Sequence, residues 1–452
     1  MAAIEPETRV CDCGRTHTAD IVLEIGVNAI RRLSAFVRDK GYRHVFLAAD
    51  TNTYALAGAK VKALLGAQFL SGYVFAEEAL SADEAAVGRL LTAVPANADC
   101  IVALGSGTLN DLARYVSYRI GLPYIIVATA PSMDGYASNV SPLIVNGLKT
   151  TYEAQTPALV IGDTALLQTA PLPMLSAGLS DVFGKFTCLG DWRLSHLLTG
   201  EYYCGYVAGL TRTSVEKCLA ALDELDNGQE AAVSGIAVNS VMQGLCTSGV
   251  AMSYAGNSRP ASGAEHHLAH FWEMSFLFQG KKPILHGTKV GVATLAVAKL
   301  YELLAEMETV DWEAAEARAE TYDFAAYADR MKAVYRHAAA EIIAEERRSG
   351  RNNTENTKAR IQMYRAHWDE ARQIMRTVPT YSQMKDIITR AKNPVTADEI
   401  GIDYQTVLDS LYYAKELRQR FTILQMIADL GLSDGLLPAA AAAVTGKGSD
   451  CP

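Results

Sequence analysis

In CIVALGSGTLND, residues 100–111, an unbroken apolar run gives way to a glycine-bracketed turn and then to the opening of a helix. Cys100 to Leu104 lacks the polar alternation of a half-exposed strand, which points to a strand covered on both faces. Gly105-Ser106-Gly107 makes the turn, and a helix is expected from Thr108 to Ile120. The same unit recurs on both sides. Upstream, DIVLEI (20–25) and HVFLAAD (44–50) read as strands, with helices over 28–40 and 53–65 and a further strand and helix over 71–75 and 83–94. Downstream, YIIVA (124–128) and ALVIGD (158–163) are strands. Strands alternating with helices at this pace specify a parallel, Rossmann-like sheet with ligands outside the carboxyl ends of its strands.

Two strand ends carry chemistry. Between a strand and a helix, the bare N–H groups of Gly105 and Gly107 and the helix dipole favour phosphate. The spacing is not GxGxxG, and a plain tight turn accounts for it equally well. Asp50 ends an earlier strand, where a carboxylate suits a ribose hydroxyl or caps the next helix. After Ala128, ATAPSMDGYASNVSPLI is too long and polar for an ordinary connection. Asn146-Gly147 then signals a hairpin.

Beyond Pro171 and Pro173 strand signals stop. Helices are expected over 175–198, 206–225, 231–253, 289–305, 312–327, 335–347, 359–376, 381–392 and 404–430. The expected organisation is an α/β dinucleotide-binding domain over 1–170, an all-helical metal- and substrate-binding domain over 171–435, and a flexible tail over 436–452. RRSGRNNTENTK (347–358) reads as an exposed polar loop, and the Ala-rich ending after Pro438 as frayed.

Half of the 452 residues are hydrophobic and a fifth charged, as in a soluble globular protein. A net charge of −9 leaves no basic stripe for nucleic acid. No apolar run is long enough to span a membrane, and the acidic start MAAIEPETRV has no signal-peptide character. A cytoplasmic location is expected. The eight cysteines are too scattered for a disulfide framework. Cys11, Cys13 and His17 stand together, but without Cys-x-x-Cys spacing or a fourth ligand nearby they read as a turn before the first strand.

SGAEHHLAHFWEMSFLFQGKKPILHG (262–287) holds four of the nine histidines. On a helix, His266 and His270 share a face one turn apart. Gly280 ends that helix, and His286 folds back after a short turn. Two histidines need one carboxylate to make a three-ligand metal site with an open position. Asp181, in GLSDVFGK on an otherwise apolar helix, is the candidate; an Asp181–Lys185 ion pair is the structural alternative.

The order of these motifs, from Asp50 through GSGTLND, TAPSMDGYAS, GLSDVFGK and SGxEHxxxH to HG opening a helix, resembles a known superfamily. It comprises glycerol dehydrogenase, the iron-containing alcohol dehydrogenases and dehydroquinate synthase, and the likeness is greatest to its sn-glycerol-1-phosphate dehydrogenase branch. The likeness runs over residues 10–305; nothing is carried over to 303–396. It implies a dehydroquinate-synthase-like fold and reversible, NAD(P)H-linked reduction of dihydroxyacetone phosphate to sn-glycerol 1-phosphate, in phospholipid metabolism. Glycerol or small-alcohol oxidation, or a dehydroquinate-synthase-like lyase reaction, are the alternatives.

The resemblance also implies residue roles. Asp181, His266 and His286 would ligate one divalent metal, Ni2+ or Zn2+, with His270 beside it as a substrate contact and candidate acid. NAD(H), or NADP(H), would lie along Gly105, Gly107, Thr108, Leu109, Asn110 and Asp111, then Thr129, Ala130, Pro131, Ser132 and Ser138, with Asp50 at its ribose. Asp134 would face the substrate, and Lys149 and Lys185 are the candidate phosphate-binding cations. A small-molecule substrate, no nucleic-acid partner and a homo-oligomer, as a homodimer, complete the expectation.

Overall fold

The computed structural model describes residues 2–4, 7–77, 80–226 and 234–446. Its strands are β1 (Ala2–Ile4), β2 (Glu7–Val10), β3 (Thr16–Ala19), β4 (Val22–Gly26), β5 (Val45–Asp50), β6 (Phe69–Phe75), β7 (Cys100–Gly105), β8 (Tyr124–Ala128), β9 (Val140–Val145), β10 (Leu148–Glu153) and β11 (Leu159–Asp163). Seven of them form one sheet in the order β1-β4-β11-β8-β7-β5-β6. The six strands from β4 onward in that order are parallel, and β1 adds an antiparallel edge.

Both faces of the central strands β4, β5, β7, β8 and β11 are buried, which is why they read as unbroken apolar runs, whereas the edge strand β6 is largely part-exposed. Val45, Leu47, Val102, Leu104, Ile125 and Val127 point to one face, and it is closed by residues such as Leu33, Phe36 and Val61 from flanking helices. Phe46, Ala48, Ile101, Ala103, Ile126 and Val160 point to the other, into a core continuous with the helices that follow the sheet. The period-2 geometry of the strands therefore ties the α/β part to the helical part.

Among the described residues beyond Asp163, every element is helical. Several helices expected to be continuous are broken. The stretch 175–198 is Leu172–Phe183 and Lys185–Thr199, joined at Gly184. The stretch 312–327 stops at Ala319 and resumes at Phe324, where Asp323 caps the new helix. The stretch 404–430 is split into Tyr404–Tyr413 and Ile423–Asp429 by a short 3-10 turn and an extended link. The expected exposed loop shrinks to 350–353, where Arg351 and Asn352 turn inward onto Glu346 and Glu416. The Ala-rich ending is no frayed tail as far as it is described: Ser433–Thr445 is a helix that runs through Pro438. It buries Leu437, Ala440, Ala441 and Val444 against neighbouring helices, which offsets the one backbone bond a proline removes. The end of the expected tail and the start of the helix expected at 231 lie outside the described residues.

The hairpin forms as its sequence requires. Asn146 and Gly147 both adopt positive φ (52° and 72°) between β9 and β10, as a two-residue turn between twisted strands demands.

Candidate active site

One cavity opens at the carboxyl ends of the parallel strands, between the sheet and the helices. Two close approaches shape it. A side chain at Gly178 would meet the Pro131 carbonyl oxygen at 2.0 Å, and one at Gly287 would meet the Ala177 carbonyl at 1.8 Å. Only glycine lets helix Leu172–Phe183 touch both the PSMDGYAS loop and the start of helix His286–Glu306. These contacts bring Asp181, Asp134 and His286 to one place.

Asp181, His266 and His286 offer ligand atoms that all lie within 4.8 Å of one another. His266 Nε2 is 3.3 Å from Asp181 Oδ1. Its other ring nitrogen, Nδ1, donates to Glu265 Oε1 at 2.8 Å, which leaves Nε2 free to ligate. Glu265 is itself fixed by the Gly263 N–H and the Thr187 hydroxyl. His286 Nδ1 is buried with no hydrogen-bond partner. A one-carboxylate, two-imidazole donor set with an orphaned ring nitrogen fits a divalent transition metal with an open position.

The surrounding charges hold the Asp181 carboxylate ionised, while burial pushes His286 down and keeps it neutral. Burial would raise the Asp181 carboxyl, but Lys185 and the two histidines override it and keep the group below its ordinary value. Lys185 Nζ lies 3.3 Å from Asp181 Oδ1 and 2.6 Å from Asp134 Oδ2. The Asp134 N–H donates to Asp181 Oδ2 at 3.0 Å. Both structural alternatives thus hold at once, since the Asp181–Lys185 pair supports the carboxylate that faces the histidines. Burial would lower His266, but its bonds to Asp181 and Glu265 raise it.

Of the two candidate phosphate-binding cations, Lys185 bonds within this network and is not among the residues lining the cavity. Lys149 does line it, held on Glu273 at 2.9 Å. A cation missed in the sequence joins it there. Arg418 reaches in from the link after Tyr404–Tyr413, with Nη2 3.3 Å from Thr151 Oγ1 and 3.4 Å from His270 Nε2. No carboxylate partners its guanidinium among the described residues, and burial alone pulls its pKa down. Nothing in local sequence distinguishes Arg418 from other arginines; its place depends on a distant fold contact. His270 stacks on His286 at 5.5 Å between centroids, and burial pushes it down to about 3, so it is neutral at neutral pH. Its Nδ1 is 3.6 Å from Glu273, too long for a hydrogen bond.

The expected cofactor residues divide into two groups. Gly107, Thr108, Asp111, Ser132 and Ser138 line the cavity, together with Ser106 and Asp134. Helix Gly107–Ile120 begins there without a side-chain cap, so its first N–H groups are open to a ligand. Gly105, Leu109, Asn110, Thr129, Ala130 and Pro131 stand behind that wall. Leu109 packs where a side chain on Gly105 would sit, the Thr129 N–H donates to the Gly105 carbonyl, and the Ala130 carbonyl accepts from Tyr136 Oη. Asn110 is buried and bonds the Gly135 carbonyl and Tyr124. The Asp111 carboxylate accepts from Arg114 at 2.9 Å. Asp50 caps the next helix, accepting from the Thr53 N–H at 2.8 Å through Oδ1, and ends β5 beside β7.

Residues 24–171 match the family described as iron-containing alcohol dehydrogenase. The fold is similar to that of a glycerol dehydrogenase from Schizosaccharomyces pombe, with a TM-score of 0.61 at 16% identity, covering 98% of this chain and 95% of that one. The sheet and the helices that follow it share that fold, and the cavity lies between them. Over 440 residues the chain is 34% identical to the glycerol-1-phosphate dehydrogenase [NAD(P)+] of Geobacillus stearothermophilus, covering 93% of this chain and 96% of the relative. The enzyme of the same name from Pyrococcus furiosus is 37% identical over 200 residues, 44% of this chain and 55% of its own. The chain belongs to the glycerol-1-phosphate dehydrogenase family.

Proposed function

We propose that this protein reduces dihydroxyacetone phosphate to sn-glycerol 1-phosphate, reversibly, using NADH or NADPH and one divalent metal, nickel or zinc. The observation that carries the reading is the cationic corner of Lys149 and Arg418 in the cavity that His266 and His286 line, with Asp181 within 4.8 Å of both histidines behind it. A desolvated guanidinium without a carboxylate is costly unless an anion completes it. A site for an unphosphorylated polyol has no use for one.

An ion on Asp181, His266 and His286 would supply a Lewis acid to the substrate ketone, and the nicotinamide a hydride. The chain's own residues do the rest. Lys149 and Arg418 hold the phosphate, with Thr151 and Ser258 on the Arg418 side fixing its guanidinium. Glu265 fixes the His266 ring, and Lys185 with the Asp134 N–H fixes Asp181. The open N–H groups at Gly107 and Thr108 receive the cofactor pyrophosphate, and Ser132 and Ser138 the nicotinamide half. His270, neutral and between the metal ligands and Arg418, hydrogen-bonds the substrate and is no stored acid, so the final proton comes from solvent. Asp50 accepts from the adenosine ribose. The same reading places the enzyme in the cytoplasm as a homo-oligomer; light scattering showing only monomer at working concentration would contradict the latter.

Family membership supports the stereochemistry, because the prochiral carbonyl leaves handedness to the face that meets the nicotinamide. Product made with excess NADH should be inert to an sn-glycerol-3-phosphate-specific dehydrogenase yet reoxidised by this enzyme with fresh NAD. Rapid, complete oxidation by the former would overturn the assignment.

A further inference from the structure

Cys11, Cys13 and His17 acquire a fourth partner in the folded chain. Cys204 arrives from the helical part, at the start of helix Gly205–Asp226, and the four ligand atoms all lie within 4.8 Å of one another. Cys11 Sγ and Cys204 Sγ are 3.6 Å apart, and His17 Nε2 is 3.4 Å from both Cys13 Sγ and Cys204 Sγ. Tetrahedral ligation at ordinary Zn–S and Zn–N lengths separates two sulfurs by about 3.8 Å and a sulfur from a nitrogen by about 3.6 Å. The observed separations sit close to those edges.

The surroundings suit thiolate and imidazole ligands. His17 Nδ1 donates to the Tyr254 carbonyl at 3.0 Å, which fixes the tautomer with Nε2 bare and aimed at the sulfurs. The ring is buried and packs against both Tyr206 and Tyr254, at 6.2 and 5.5 Å between centroids. Tyr202 Oη lies 3.2 Å from Cys13 Sγ, and that hydrogen bond is the main reason this thiol is lowered to about 6. Burial pushes the Cys204 thiol up, and the Val207 N–H, in the first turn of its helix, opposes that only in part. The turn itself is tight: the Cys11 N–H donates to Arg15 O and the Gly14 N–H to Cys11 O, each at 3.0 Å. It presents both thiols from one side.

We propose that Cys11, Cys13, His17 and Cys204 form a second, structural metal site that takes one tetrahedral Zn2+. Four protein donors leave no open position, so the ion does no chemistry on substrate. It ties the β2–β3 hairpin, at the start of the α/β part, to the 200–204 connection of the helical part. Binding deprotonates the thiols that still carry protons, and those protons go to solvent.

The test separates this ion from the one at the active site. Full-length His266→Ala/His286→Ala protein, expressed with zinc and desalted, should retain about one zinc per chain by mass-spectrometric metal analysis, held at nanomolar or tighter affinity. Adding Cys13→Ser or Cys204→Ser to that background should remove it. Cobalt in place of zinc should give the near-ultraviolet charge-transfer absorption of thiolate ligation. Should the cysteine variants fail to fold, a mercurial titrated into the His266→Ala/His286→Ala protein serves instead, and should release the zinc as its thiols are capped. Zinc-free protein after zinc dialysis, zinc retained when those thiols are capped, or a Cys11–Cys204 disulfide in the peptide map would each overturn the proposal.

Discussion

Glu265 touches neither sheet nor solvent, yet it accepts three hydrogen bonds, from His266 Nδ1, the Gly263 N–H and Thr187 Oγ1. Its task in the proposed site is to aim one imidazole. Glu265→Gln should weaken metal affinity by roughly 10–100-fold while leaving turnover recoverable with added metal. Activity measured against metal concentration after chelation checks this, and an unshifted curve would remove Glu265 from the account. His266→Ala or Asp181→Ala should instead abolish bound metal and turnover together, with the fold intact by circular dichroism. Asp50 poses a different question, because one of its oxygens already serves as a helix cap. Its charge would still repel the extra phosphate of NADPH. Glycine at a cap position costs only a few tenths of a kcal/mol, so Asp50→Gly should narrow an NADH preference without unfolding the protein. An unchanged ratio of catalytic efficiencies would place the ribose elsewhere.

At the scale of elements, the loop 350–353 and the 3-10 turn Ala414–Leu417 act as a clamp behind the site. Glu416 accepts from Arg351 at 2.6 Å and from Asn352 and Tyr327 at 3.1 Å, and pairs with Lys415. Arg351 also donates to the Arg418 carbonyl at 2.8 Å. Burial would raise Glu416, but Lys415 and Arg351 outweigh it and bring the group down from 4.5 to about 2. A carboxyl lowered on folding stabilises above its unfolded pKa, and that contribution is lost as pH falls from about 4.5 toward 2. It amounts to about 3 kcal/mol at neutral pH. Glu416→Gln should therefore be less stable than the parent in urea at pH 7, with the gap roughly halved by pH 3; a gap independent of pH would deny Glu416 this role. The same elements show where sequence reading stops. Strands β5, β7, β8 and β11 and the turn at Asn146-Gly147 were legible because apolar runs and positive-φ residues are local signals. Asp181, His266 and His286 were legible through motif order. Arg418 was not, since its position depends on Arg351, which is remote in sequence and meets Glu416 and the Arg418 carbonyl only on folding. Cys204 was hidden from Cys13 by the same distance.

Across the whole molecule, one core runs from the inner face of the sheet through the helices, with Ile25 and Val160 continuous with Met242 and Leu245. The division expected near residue 170 separates fold types, and the halves should unfold as one cooperative unit. All four tryptophans (Trp192, Trp272, Trp312 and Trp368) lie in the helical part, so their fluorescence reports that half, and the strand infrared band reports the other. Coincident thermal midpoints are expected; two resolved transitions would contradict a shared core. The candidate active site depends on the same continuity, drawing Gly107 from the carboxyl end of β7, Asp181 and the histidines from three helices, and Arg418 from near the end of the chain. The most direct test of the account is the ratio of kcat/KM for dihydroxyacetone phosphate over dihydroxyacetone, measured by NADH oxidation in the parent and in Arg418→Ala. The account predicts a strong preference for the phosphate in the parent and a loss of about 2–3 kcal/mol, or roughly 30–150-fold, in the variant, with little change for dihydroxyacetone. Equal efficiencies in the parent, or a preference untouched by Arg418→Ala, would contradict it.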